Sequence, residues 1–270
     1  MAAGLTFFRE FLATRMSRPL GFGDGLILCA AFVVARIGLV GWPSIPPVEA
    51  TQWLVVLVPV LGAVGLIETR MSRYGWILGV RALVSFATVG LLLKARADHV
   101  WSPVEYSLWI GGAGSAVLFC WSWVAHLGAG TSRPWSALSL VVVLVGESVV
   151  LALCGSALLA QLCGAAAVAL FALSGIRKNN RGSIAQELVA PVLWLGSVLA
   201  ILGHIYAYLP FVSGVLLLLS LCTPGMWSMK SLRARGDAQT LALNLVVIVG
   251  FFAVLIWLNW PEQSAYDSAW

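Results

Sequence analysis

Apolar residues in this chain neither alternate nor keep to one helical stripe. They run in long blocks separated by short polar breaks. A helix crossing a bilayer needs about 20 mostly apolar residues, because the hydrocarbon layer is about 30 Å thick and each residue rises about 1.5 Å. Nine blocks fit that requirement: 21–41, 51–68, 75–93, 105–125, 135–153, 156–176, 187–209, 211–228 and 238–260. Two of the breaks are very short, at Cys154-Gly155-Ser156 and at Pro210. Each doubled block is too long for one helix and suits a tight hairpin; merging one of them would leave eight spans. The predicted fold class is all-α, a polytopic integral membrane helical bundle of about nine transmembrane helices. Pro59 and Pro191 fall inside blocks, where a proline frees a carbonyl and bends the helix.

Ahead of the first block, "LTFFREFLATRM" places Leu5, Phe8, Leu12 and Met16 at helical spacing, with Arg9 and Arg15 elsewhere. That pattern predicts an amphipathic helix lying on the cytoplasmic leaflet. It is not a cleavable signal, because the basic residues follow the apolar ones. The domain reading is therefore residues 1–20 as an interfacial helix, 21–260 as one transmembrane domain and 261–270 as a short outside tail. Every loop is shorter than about 15 residues, too small to bury a core of its own.

Composition sharpens the membrane reading. Of 270 residues, 60% are hydrophobic and 10% charged, against about 25% charged in soluble domains. The net charge of +5 does not indicate nucleic acid, because the basic residues sit in short loops between apolar runs, where they set orientation. With the N-terminus cytoplasmic, the inside segments hold Arg9, Arg15, Arg18, Arg70, Arg73, Arg133, Arg177, Lys178, Arg181, Lys230, Arg233 and Arg235, twelve of the sixteen Lys and Arg residues. The outside loops hold Lys94 and Arg96, and Arg36 and Arg81 lie within spans. An error of one span between two loops would scramble this alternation, so the expectation is N-terminus in, C-terminus out.

The string "TRMSR" occurs at 14–18 and again at 69–73, and "TSRP" at 131–134 is a partial copy. Each precedes an outward-going helix on the predicted cytoplasmic side. Ser or Thr there can cap free N–H groups, and Arg meets the headgroups. The strings are boundary markers rather than a binding motif. The basic loop "IRKNNRGS" at 176–183 follows from the same charge bias.

Packing in lipid relies on small residues. "GGAGSA" at 111–116 and "CGAAAVALFALSG" at 163–175 predict that those two helices form the interior, whereas "LLLLSL" at 216–221 predicts a lipid-facing helix.

Charged and polar residues inside spans are the default functional candidates, since a charge at a helix centre costs about 2.5–3.5 kcal/mol on insertion scales. Arg36, Glu147, Gln161 and His204 come from four helices but fall at similar depth in the outer half. They form the candidate intramembrane polar site, either an Arg36–Glu147 ion pair that locks register or a polar pathway with Glu147 as proton carrier. Glu68 and Arg81 form a second candidate contact at the inner side, and Asn244 is expected to glue helices together. The five cysteines all fall in apolar runs without CxxC spacing, so no metal site is expected. His99, His126 and His204 lie at different levels, which argues against haem, and no other cofactor is expected. "GAGS" at 112–115 and "AHLGAG" at 125–130 resemble the serine and histidine segments of rhomboid proteases. Ser115 and His126 fall eleven residues apart on one helix, at different levels, whereas in rhomboids the pair comes from different helices, so the fragments do not make a protease.

Three functions fit these features to different degrees. A small transporter or flippase-like protein with its polar site in the outer half accounts for the in-span charges and prolines. A non-catalytic accessory or scaffold subunit of a larger membrane complex accounts for the tiny loops. A membrane-embedded enzyme lacks any nucleophile–base or metal constellation. The expected partners are the lipid bilayer and other membrane subunits or a second copy of the chain. The absence of any Asn-x-Ser/Thr sequon sits easily with a bacterial inner membrane.

Overall fold

The computed structural model describes residues 23–68, 71, 74–128, 135–176, 185–223 and 237–260. The predicted interfacial helix at 1–20, the tail at 261–270, nearly all of the two "TRMSR" strings, "TSRP" and most of the 176–183 loop lie outside the described residues. Among the described residues there are nine helices and no strand. In chain order they are α1 Asp24–Val40, α2 Ala50–Glu68, α3 Tyr74–Ala97, α4 Pro103–Gly128, α5 Trp135–Leu153, α6 Ala157–Ile176, α7 Ala185–Tyr206, α8 Phe211–Cys222 and α9 Asp237–Asn259. Six carry stretches long and apolar enough to cross a membrane: Ala50–Glu68, Tyr74–Ala97, Pro103–His126, Ala157–Ser174, Leu188–Tyr206 and Ala242–Asn259. Helices satisfy every backbone group within the segment, which is what an apolar solvent requires. The apolar stretches of α5 (Ala137–Leu153) and of α8 are shorter.

Local chemistry sets the helix ends. At the α5–α6 break, Gly155 takes φ +84°, and Ser156 N–H bonds to Leu151 O (3.1 Å) while Gly155 N–H bonds to Ala152 O (3.0 Å). This is the paired 6→1 and 5→2 pattern that closes a helix and turns the chain sharply. At the start of α4, Glu105 Oε2 accepts from Ser102 N–H (2.8 Å) and the Ser102 hydroxyl faces Glu105 N–H (3.3 Å). Pro103 follows at the first helical position, where a missing N–H costs nothing. At the α7–α8 break, Tyr208 adopts φ 55° and Leu209 N–H returns to Gly203 O (3.2 Å).

The centre of the bundle is α7. Its stretch Leu188–Tyr206 is 94% buried, against 22–44% for the other five long spans. It packs against α1, α2, α4, α5, α6 and α8. A helix enclosed on all sides must be apolar all round and small where neighbours cross. Cβ atoms added at Gly196 and Gly203 would come within 2.7 Å of Leu221 and 2.5 Å of Leu151. The expectation that the helices with 111–116 and 163–175 form the interior is corrected here. Both are peripheral to α7, with Gly111, Gly112, Val168 and Phe171 exposed. Nor is 216–221 a uniformly lipid-facing run, since Leu217 and Leu221 are buried while Leu219 is exposed. Small residues mark close approach, but a helix can approach one neighbour closely and still be peripheral. Gly114 does so: a Cβ there would sit 2.5 Å from the Phe86 ring on α3.

Polar cross-links are few and specific. Trp194 Nε1–H donates to Thr88 Oγ1 (2.9 Å), joining α7 to α3. Asn244 Nδ2–H donates to Ser139 Oγ (3.2 Å), joining α9 to α5. Asn259 reaches Ser213 Oγ (2.9 Å), and Cys154 lies 3.4 Å from Asn259. The α5–α6 turn, the start of α8 and the end of α9 therefore share one end of the bundle.

Candidate functional site

Glu68 closes α2 and Arg81 lies two turns into α3, and the structure brings them together. Arg81 Nε donates to Glu68 Oε1 at 2.7 Å and Nη2 to Oε2 at 3.0 Å. This two-pronged geometry matches the fixed fork of a guanidinium to a carboxylate. Both side chains are buried, and the guanidinium also lies 5.6 Å from the Trp121 ring centroid on α4. The site staples three helices.

Arg36, Glu147, Gln161 and His204 do not form one cluster. Arg36 is buried, and its Nη1 donates to Gly41 O (2.7 Å), just past the end of its own helix. A cation there meets carbonyls that have no partner within the helix and the negative end of the helix dipole. α1 packs on α2, α6 and α7, whereas Glu147 on α5 faces α7. A Cβ added at Gly196 would stand 3.2 Å from Glu147 Oε2. The expected Arg36–Glu147 pair is therefore not made: among the described residues the ion pair is Arg81–Glu68. Gln161 is exposed on α6.

Glu147 is the more unusual of these residues. It is 1% exposed, and among the described residues neither carboxyl oxygen accepts a hydrogen bond from a nitrogen or oxygen donor. The Cys163 thiol stands beside it on α6 but donates to Leu144 O (3.2 Å). A buried polar group without a partner costs about 1–3 kcal/mol. Glu147→Leu, close in volume, is expected to stabilise the bundle by about 1–2 kcal/mol in chemical unfolding of detergent-solubilised protein, because it removes that cost without opening a void. A fall in stability would mean that the carboxyl has a stabilising role that the geometry does not reveal.

His204 sits at the end of α7 in a chain of rings. Its centroid lies 5.4 Å from Trp109 and 5.7 Å from Phe211, and Trp109 stacks on Trp101 at 5.6 Å. Its Nδ1 is 2.7 Å from Leu209 O, so the turn after α7 fixes the ring. Beside His204 a cavity of about 340 Å³ opens between α4, α7 and α8. Its floor is Ala113, Ala200, Ile201 and Gly214, all buried. Its rim is Leu108, Gly112, Phe211 and Val215, all exposed, so it opens sideways out of the bundle. Small side chains make this space: a Cβ added at Gly112 would meet nothing within 4 Å.

The composition of "GGAGSA" did point to this helix, but towards packing. Gly114 packs, while Gly112, Ala113 and Ala116 line the cavity. Which small residue faces a neighbour and which faces empty space depends on helix rotation, and no local pattern carries that. Ser115 and His126 are both exposed on α4. No protein-family model, no curated protein and no solved structure matches this chain.

Proposed function

We propose that this chain is a nine-span membrane protein, N-terminus in and C-terminus out, that takes up a lipid-phase molecule in the manner of a small transporter or flippase. The observation that carries this reading is the cavity between α4, α7 and α8, apolar beyond His204 and Trp109 at one end and open sideways, where a molecule dissolved in the bilayer has direct access. Its volume of about 340 Å³ falls within the range of small-molecule sites, roughly 300–1,000 Å³. The charge alternation of the sequence supports the orientation, which puts His204 and the cavity mouth in the outer half, and supports a bacterial inner membrane as the location. The buried Glu147, between α5 and α7, supports a bundle whose packing is not optimised for stability alone.

Filling the cavity tests the reading. Gly112→Leu and Ala116→Phe place bulk in the open space. The expected result is that wild-type protein purified from membranes carries a co-purifying apolar species, detected by mass spectrometry, that is depleted at least tenfold in both variants while their unfolding midpoints hold. An identical lipid profile in all three proteins would remove the support for a binding role and favour the accessory-subunit reading.

A further inference from the structure

We infer that the cavity between α4, α7 and α8 takes an apolar molecule headed by a hydroxyl group, which donates a hydrogen bond to Nε2 of His204. The inference rests on the proposed binding role and names its ligand class. A carbonyl oxygen only accepts hydrogen bonds, so the 2.7 Å contact between His204 Nδ1 and Leu209 O requires the hydrogen on Nδ1. In a neutral imidazole the other ring nitrogen is then a bare acceptor. Leu209 belongs to the turn that holds Tyr208 at φ 55°, and its own N–H is tied to Gly203 O (3.2 Å). The backbone thus imposes the tautomer. His204 is half-buried and lines the cavity, and its Nε2 makes no hydrogen bond to the protein among the described residues.

The cavity's shape agrees. Leu108, His204 and Phe211 lie near one end of α4, α7 and α8, and the lining continues to Ala116 and Leu218. Eight residues of helix rise about 12 Å. The imidazole is therefore at the end of the bundle beside the Trp109 indole, and the wall beyond these two rings is hydrocarbon. An amphiphile fits with its head at the bundle's end and its chain directed inward along α7. The matching head is a donor: an ether cannot donate, and a carboxylate would face an acceptor.

The test uses the full chain in lipid nanodiscs and three probes of one chain length: decan-1-ol, decyl methyl ether and decanoate. Each is titrated against the thermal unfolding midpoint at matched concentration in the lipid. The expected result is that decan-1-ol half-saturates at about fivefold lower concentration than the ether, the effect of one net hydrogen bond. His204→Phe is expected to make the two equal, and His204→Gln, which keeps an acceptor, to restore part of the difference. Should His204→Phe not fold, nitrogen NMR of ring-labelled wild-type protein provides a second measurement: decan-1-ol should shift Nε2 and the ether should not. Equal binding of alcohol and ether in wild type, both lost in Gly112→Leu, would overturn the hydroxyl class and leave the cavity as a binding site. Tightest binding by decanoate would overturn the acceptor role of Nε2. Probe responses identical in wild type and Gly112→Leu would overturn both the ligand class and the binding role.

Discussion

Arg81→Ala is expected to lower the stability of the bundle by about 3–5 kcal/mol, the usual cost of removing one partner of a buried ion pair. The guanidinium makes both of its bonds to one carboxylate, at 2.7 and 3.0 Å, with the partners 5% and 2% exposed. Without Arg81, Glu68 is left with a carboxylate that neither water nor lipid can reach. Glu68→Ala is expected to do comparable damage from the other side, and Arg81→Lys to rescue little, because an ammonium cannot reproduce the fork. The double change Glu68→Leu with Arg81→Leu is expected to be milder than either single change, since it removes both charges and refills the space. Unfolding midpoints in detergent, for the singles and the double, supply the test. A double variant as unstable as the sum of the singles would show that the two residues act independently. Because the pair joins the end of α2 to α3 and Arg81 lies over Trp121 of α4, its loss is expected to loosen these three helices first. Hydrogen exchange of their backbone amides is the local readout.

Trp194→Ala is expected to cost about 3 kcal/mol. Trp194 is 0% exposed on the central helix, and its Nε1–H donates to Thr88 Oγ1 at 2.9 Å. In water-soluble cores a Trp→Ala change costs about 3–5 kcal/mol, part transfer and part cavity. In a bilayer the transfer part shrinks, because lipid is as apolar as the core, and the lost contacts dominate. Trp194→Phe is expected to retain most of the packing, and Thr88 keeps its own bond to Val84 O (2.6 Å). The control is Trp257→Ala on α9, where 77% exposure leaves little packing to lose, so the expected change is within about 0.5 kcal/mol. Equal losses at Trp194 and Trp257 would refute the central position of α7.

The helices were legible because the bilayer constraint is local. An apolar block of spanning length must be helical to satisfy its own backbone, and breaks at Cys154-Gly155-Ser156 and Pro210 are punctuation that needs no distant partner. The turns found at Gly155 and at Tyr208–Pro210 lie at those breaks. The Asn244–Ser139 link follows from the same reasoning, since one polar side chain in an apolar helix seeks a polar partner on a neighbour. Depth along each helix could also be counted, which is why Glu68 and Arg81 emerged as a candidate contact.

Rotation about each helix axis and the order of neighbours were not legible. The sequence places Arg36 and Glu147 at similar depth, yet they face different surroundings, one turned to the end of its own helix and the other to Gly196. Gly112 and Gly114 are two residues apart, and one borders a cavity while the other touches Phe86. His204 was legible as a polar residue near a helix end, but not as a ring with one nitrogen committed to Leu209.

By itself, the sequence determined that this chain folds as apolar helices and that the chain breaks between them at 154–156 and at Pro210. These follow from solvent and backbone chemistry that act within some twenty residues. Only the tertiary structure decided that α7 is enclosed, that Arg81 rather than Arg36 holds a carboxylate, and that small residues on α4 leave an open cavity beside His204. In lipid, every face of an apolar helix is equally soluble, so hydrophobicity cannot rank the faces; shape and a few polar contacts between distant segments do.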